Sequence, residues 1–416
     1  MSSPRRLLRA RVVVPISAPP LDDGAVLLDG NRIAAVGPYR DFSGEPALDL
    51  GPCVLLPGLV NAHCHLDYTD MTGLPAPRHF PDWIKSLLVL KSAASYTDYA
   101  AAWLRGADML LQTGTTTVGD IEAVPELVPE VWSSTPLRVL SFFEMTGVKS
   151  RRDPTEILRE TARRIDSLPP GRSSGGLSPH ALYSTSPALL QAAGEIAAAR
   201  RWPLTMHLAE SIDEWSMYRE RSGVLFDWLR PQRDMSDCDG ATPVEKAAHY
   251  GLLRKNFLAV HANYLTPGDV ALLAEAGASV AHCPRSHAYF GHQPFSYREL
   301  ANRGVNVCLG TDSLASVTKA GAAPLELSLF AEMRQFAGAN PDVAPEEILR
   351  LATTHAARAL GMAEQVGEIS PGAAADLIAL PLPSANARDV CAAVVHDAAH
   401  VVAAMIDGQW AIAPNN

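Results

Sequence analysis

PGLVNAHCHLDYT, residues 57–69, is an apolar run that ends in two histidines two apart, His63 and His65. On a β-strand, residues i and i+2 share a face, so both imidazoles can reach one metal ion from a single strand end. Two such histidines among 13 are an ordinary coincidence. Their partners give them meaning: His207 and Glu210 close PLTMHLAE, His261 closes FLAVHAN, and Asp312 closes VNVCLGTD.

Eight strand-like runs can be read outward from this stretch, at 59–65, 115–120, 138–144, 176–184, 203–210, 257–263, 278–284 and 305–312. Ala/Leu-rich helical stretches separate them. DYAAAWLRGADMLLQ ends at Gly114, and PALLQAAGEIAAARR follows Ser186-Pro187, where Ser suits an N-cap and Pro the first helical position. Strand and helix in alternation predict a (β/α)8 TIM barrel, an α/β fold whose chemistry sits at the C-terminal ends of the strands. His65, His207, His261 and Asp312 all fall there. Leu66–Thr97, with Trp83, is the longest segment after a strand and is expected to cover the site.

Both chain ends are rich in short β runs, among them AVLLD, RIAAVG and CVLLP near the start and ADLIALPL and VVAAMIDGQW near the end. Asp29-Gly30-Asn31 is a strong hairpin turn. The expected division is therefore 1–56 and 365–416 as the two parts of a small β-sandwich domain, with the barrel over 57–364.

Hydrophobic residues make up 47% and charged residues 19% of the 416, which describes a well-buried enzyme. A net charge of -10 without a Lys/Arg run argues against a nucleic-acid partner. No run approaches the 18 apolar residues of a membrane span, and the basic start lacks the apolar core of a secretory signal. Six cysteines without a CxxC pair read as reduced thiols, so a cytoplasmic location is expected. A homo-oligomer is expected too, the common state of soluble enzymes.

Imidazole and carboxylate are zinc ligands, and a catalytic zinc keeps one position for water. The assembled motifs PGLVNAHCHLD, MHLAE, VHANYLT, AHCPRSH, LGTDS and ATTHAARALGM with GEISPGAAADLIAL resemble the amidohydrolase superfamily, in its mononuclear deaminase/chlorohydrolase branch, over nearly the whole chain. The resemblance implies that His63, His65, His207 and Asp312 ligate one divalent metal, Zn2+ or Fe2+, with Glu210 and His261 beside them. Strand four offers His180 where binuclear relatives carry a modified lysine, which favours one metal.

The same resemblance implies a hydrolytic reaction. Asp312 would take a proton from the attacking water, His261 would hold and polarise that water, and Glu210 would protonate a ring nitrogen. His180, Trp83, Arg285, His287 and Glu144 are the expected substrate contacts; relatives more often carry Asn where this chain has His287. The loop style points to deaminases of adenine-type nucleosides: aminodeoxyfutalosine, S-adenosylhomocysteine, methylthioadenosine or adenosine. One alternative is a triazine-type chlorohydrolase or another heterocycle deaminase. The other is a catalytically inactive scaffold, against which stands the presence of all six expected groups.

Overall fold

The computed structural model describes residues 5–42, 44, 46–148, 152–319, 324–381 and 389–414. It begins with β1 (Arg6–Val13), β2 (Leu21–Asp29), β3 (Arg32–Pro38), β4 (Ala47–Asp49) and β5 (Cys53–Pro57). The β2–β3 hairpin turns through Gly30 at φ 63°, a left-handed conformation that costs glycine nothing.

Eight barrel strands follow: β6 (Leu59–Cys64), β7 (Thr115–Glu122), β8 (Arg138–Met145), β9 (Ser174–Pro179), β10 (Leu204–Leu208), β11 (Phe257–His261), β12 (Ser279–His282) and β13 (Asn306–Leu309). They lie side by side in chain order. A parallel bridge between Cys64 and Asp312 joins the last strand to the first and closes the ring. Val60, Ala62, Leu140, Phe142, Leu258, Val260 and Ala281 fill its interior, with Ala356, Ala357 and Leu360 packed beneath them. Outward-facing Val118, Val139, Leu177, Met206 and Val280 join the helical layer in a separate apolar cluster. The alternation of inward and outward residues along each strand is thus the pleat itself.

The chain then returns to the first sheet through β14 (Leu377–Pro381), β15 (Ala403–Ile406) and β16 (Gln409–Ile412). β14 runs antiparallel to β5, with Leu380 opposite Val54, and the strand order is β16-β15-β14-β5-β1-β2-β3, with β4 beside β1. Leu8, Val26, Leu28, Ile33, Leu55, Leu377 and Met405 pack together, so this mixed sheet curls over a core of its own. Arg138, at the start of β8, ties the two bodies together by ion pairs to Asp376 (3.1 Å) and Asp407 (2.8 Å).

The starts of two barrel helices are held differently. Ser95 caps the helix Tyr96–Gln112 in a reciprocal capping box with Asp98. Ser186 occupies the N-cap of Pro187–Arg200, yet its side chain makes no capping bond and is buried without a partner. All six cysteines are free and buried. Among the described residues, no helix is long and apolar enough to cross a membrane.

Candidate metal and catalytic site

The stretch 57–69 is shaped by a β-bulge. Between Asn61 and Cys64, β6 uses one residue more than the two-residue step Val118–Asp120 of β7. Val60 and Ala62 face the barrel interior and Cys64 packs among the outer apolar residues. The extra residue therefore turns His63 inward one position early, a re-aiming typical of bulges beside functional sites. Asp120 then fixes the turn beyond His65, accepting from the Leu66 amide and the Trp103 indole, each at 2.9 Å.

At the mouth of the barrel, potential ligand atoms of His63, His65 and Asp312 lie within 4.8 Å of one another, as do those of His63, His207 and His261. Asp312 Oδ1 is 3.7 Å from Nε2 of both His63 and His65. Nε2 of His65 is 3.2 Å from Nε2 of His207. Bonds of about 2.1 Å to a tetrahedral ion put neighbouring donors roughly 3.4 Å apart, so these spacings match the edges of one coordination shell. Both ring nitrogens of His63, Nδ1 of His65 and Nε2 of His261 are buried with no hydrogen-bond partner. Buried polar atoms left unpaired are rare in folded proteins; a divalent cation would satisfy those aimed inward. His207 Nδ1 lies 3.1 Å from the His180 carbonyl, which accepts its proton and leaves Nε2 free to ligate.

Protonation states agree with this donor set. Burial, then the neighbouring imidazoles, pushes His65 far below the usual histidine range, and burial with His180 takes His207 down to about 3. Both rings are neutral at physiological pH. Burial acts to raise Asp312, but its contact with His63 and the charges of His261 and His65 outweigh it and hold the carboxylate well below normal. Ser316 Oγ donates to its Oδ2 at 3.0 Å. Glu210 goes the other way: burial first, then the charges of Asp312 and Glu214, raise it well above a normal carboxylate. Its Oε1 is 3.4 Å from His261 Nε2. Two carboxyls in one site with opposite shifts are suited to opposite proton-transfer roles.

The backbone at the strand ends is strained. Ala209 (φ 51°), His261 (71°), Ala262 (48°) and Asp312 (53°) are non-glycine residues in the left-handed region. Such conformations cost of order 1–3 kcal/mol each and collect at functional sites.

A cavity of about 250 Å³ opens over this cluster, and His65, His207, Glu210, His261 and Asp312 line it. Tyr68 stacks on His65 with ring centroids 5.0 Å apart and 8° between planes. The helix Phe80–Ala93 forms one wall with Trp83, Ile84, Leu87, Leu88 and Lys91. Trp83 is fixed there by its indole N–H, which donates to the Ala315 carbonyl at 3.1 Å. Glu144, Thr146, His180 and Ser184 form a polar wall. His180 Nδ1 is 2.7 Å from Ser184 Oγ, and its Nε2 is 4.0 Å from Glu144 Oε2.

Two expected substrate contacts lie elsewhere. Arg285 is turned away by Glu332, which is fully buried: Glu332 pairs with the guanidinium and accepts from the Arg285 amide at 2.8 Å, while the Glu326 carbonyl takes a further bond at 3.0 Å. His287 sits between His282 and His292, with centroids at 5.1 and 5.4 Å, in an aromatic cluster with Phe295. Conversely, Tyr68 and Lys91 line the cavity although no motif singles them out. A signal exists for both: Tyr68 lies inside the opening stretch, and Trp83, Leu87 and Lys91 repeat every four residues, one face of a helix.

Comparison with known proteins matches residues 54–411 to the amidohydrolase family model. The chain belongs to the amidohydrolase family. Among curated amidohydrolases and their relatives, it is 33% identical over 369 residues to 5-methylthioadenosine/S-adenosylhomocysteine deaminase of Syntrophobacter fumaroxidans, covering 86% of this chain and 80% of that one. An adenosine deaminase from Xanthomonas campestris, crystallised with zinc, superposes with a TM-score of 0.84 at 25% identity, covering 98% of this chain and 92% of that one. Atrazine chlorohydrolase from Arthrobacter aurescens TC1 gives 0.82 at 21% identity, covering 98% and 95%, which speaks for the shared fold alone.

Proposed function

We propose that this amidohydrolase is a hydrolytic deaminase of an adenine-type nucleoside. The observation that carries the reading is the juxtaposition of Glu210 and Asp312, shifted in opposite directions, beneath a cavity walled by aromatic residues on one side and by polar ones on the other. The resemblance to methylthioadenosine/S-adenosylhomocysteine and adenosine deaminases supports the substrate class.

His63, His65, His207 and Asp312 would hold one divalent ion, with Zn2+ the first candidate. When bound, that ion supplies a Lewis acid that makes water nucleophilic near neutral pH. The second oxygen of Asp312 takes a proton from the attacking water, and His261 Nε2 orients that water. Glu210, protonated through burial, gives its proton to the ring nitrogen next to the carbon under attack. The proton held by Asp312 then goes to the exocyclic amine, which leaves as ammonia while the added hydroxyl returns its proton to Glu210 and becomes the ring carbonyl. Steps of this kind each contribute about 10^2 to 10^4 in rate.

Trp83 and Tyr68 flank the base, whose flat faces match aromatic side chains. Glu144 accepts from hydroxyls of the sugar, His180 bonds a ring nitrogen, and Lys91 meets the polar end of the 5′ substituent. The six buried free thiols fit a reducing compartment, the cytoplasm.

The test is ammonia release from adenosine, methylthioadenosine, S-adenosylhomocysteine and aminodeoxyfutalosine, run beside chloride and alkylamine release from triazines. Turnover of at least one nucleoside is expected. Silence across the nucleosides with release from a triazine sinks the assignment.

A further inference from the structure

The opposite end of the barrel holds a second cavity, about 820 Å³ in volume. It lies at the N-terminal ends of the strands, bounded by the starts of β8 and β9, by Pro203 and Asn256 just before β10 and β11, and by the segment that follows the helix Thr354–Ala359. Cations line it and no carboxylate does, in a chain whose net charge is -10.

Arg138, one of these cations, is neutralised by Asp376 and Asp407. The other six are Arg32, Arg172, Arg201, Arg254, Lys255 and Arg358. Among the described residues, none of the six has a carboxylate partner. Arg172 donates to the carbonyls of Thr135 and Leu137, and Arg32 to that of Gly372. Arg254 donates from Nη2 to the Gly251 carbonyl, while its Nε is buried with no hydrogen-bond partner.

Two features indicate a built site. Unneutralised like charges around one concavity focus a positive potential into it and raise the local concentration of anions. Arg201 also holds φ 57° at the end of the helix Pro187–Arg200, where glycine is the usual residue. The floor is different: Leu140, Leu360, Met362 and Val366 are apolar.

Guanidinium forks match phosphate oxygens, and several of them together match several phosphates. An apolar floor matches a flat, weakly polar ring. We propose that this basal cavity binds a nucleoside di- or triphosphate, the phosphates among the six cations and the base on the floor. The site faces away from the deamination cavity and is argued independently of the proposed reaction.

Calorimetric titration of the metal-loaded protein tests it with ITP, which has no amino group to lose, and with inorganic pyrophosphate and inosine. One equivalent of ITP is expected to bind, weakening as salt rises; pyrophosphate binds less tightly and inosine leaves this site empty. The double variant Arg201→Glu, Lys255→Glu, both on exposed side chains, is expected to lose about tenfold or more of ITP affinity by reversing two phosphate contacts. Its ammonia release and melting temperature stay unchanged. The single variant Arg358→Glu gives the same direction should the double variant melt early. Equal ITP affinity in wild type and variants overturns the proposal, because it moves the nucleotide to the upper cavity or to the metal. Absence of saturable ITP binding overturns it too. Pyrophosphate binding as tightly as ITP overturns the nucleoside part and leaves a free phosphate anion as the ligand.

Discussion

The backbone amide of Asp312 donates to the carbonyl of His63 at 3.1 Å, and the neighbouring Thr311 amide donates to the same oxygen at 3.0 Å. The seam that closes the barrel and the pairing of two proposed metal ligands are therefore one contact. A carboxylate far along the chain from a histidine is held to it by main chain, independently of either side chain.

Asp312→Asn is expected to leave those amide bonds in place and the melting temperature within a few degrees, while turnover falls by about 10^2- to 10^4-fold through loss of the base. Metal content is measured on the same sample. An active Asn variant removes Asp312 from the reaction.

Gly310→Ala attacks the seam directly. A Cβ at that position meets the His63 carbonyl oxygen at 2.8 Å and the His63 amide nitrogen at 3.0 Å, backbone atoms that cannot swing aside. A loss of about 1–3 kcal/mol, the usual cost of overpacking, is expected in chemical denaturation, together with weaker metal retention. Unchanged stability and metal content would refute the account of the seam.

Glu214 is raised from 4.5 to about 7 by burial, against the backbone amides of Glu210 and Ala209 that oppose the rise. A carboxyl raised on folding favours the protonated folded state. Stability from this group is full below the unfolded pKa and is lost as pH climbs from 4.5 through 7. Integrated, the loss is roughly 3 kcal/mol at most. Glu214→Gln should flatten that fall in urea titrations across the same pH window. Identical slopes in both proteins would contradict the raised value.

Lys91 touches the hydroxyl of Tyr68 and lies 4.6 Å from the centre of that ring. Tyr68 in turn covers His65. If Lys91 reads the substrate and leaves the chemistry alone, Lys91→Ala raises KM about tenfold, the value of one charge-assisted hydrogen bond, with kcat within about threefold. A fall in kcat at constant KM would instead assign it to the reaction through Tyr68.

The eight strands and the donors at their ends are legible because each apolar run is short, parallel and buried on both faces, and because its last polar residue has nowhere to go but the mouth. The bulge in β6 is not legible: it depends on a mismatch in step with β7, which no single strand reveals. The left-handed turns at Ala209, His261 and Asp312 are equally silent, since none carries a glycine. Arg285 reads as a substrate contact because its true partner, Glu332, lies far along the chain and resembles an ordinary helical residue. The basal cations are hidden for the same reason. They are scattered from Arg32 to Arg358, so the chain has a basic cavity without a basic run.

The small sheet has a temporal consequence. β5 has β1 on one side and β14 on the other, and the whole barrel separates it from β14. During synthesis, the β1–β2–β3 meander can form early, but β5 keeps an unpaired edge until residues 377–381 arrive. The strand that leads directly into His63 and His65 thus waits for its second neighbour until the whole barrel has been synthesised. An unfinished chain carries an exposed apolar edge next to the ligands, which opens this join to chaperone capture or aggregation in folding intermediates.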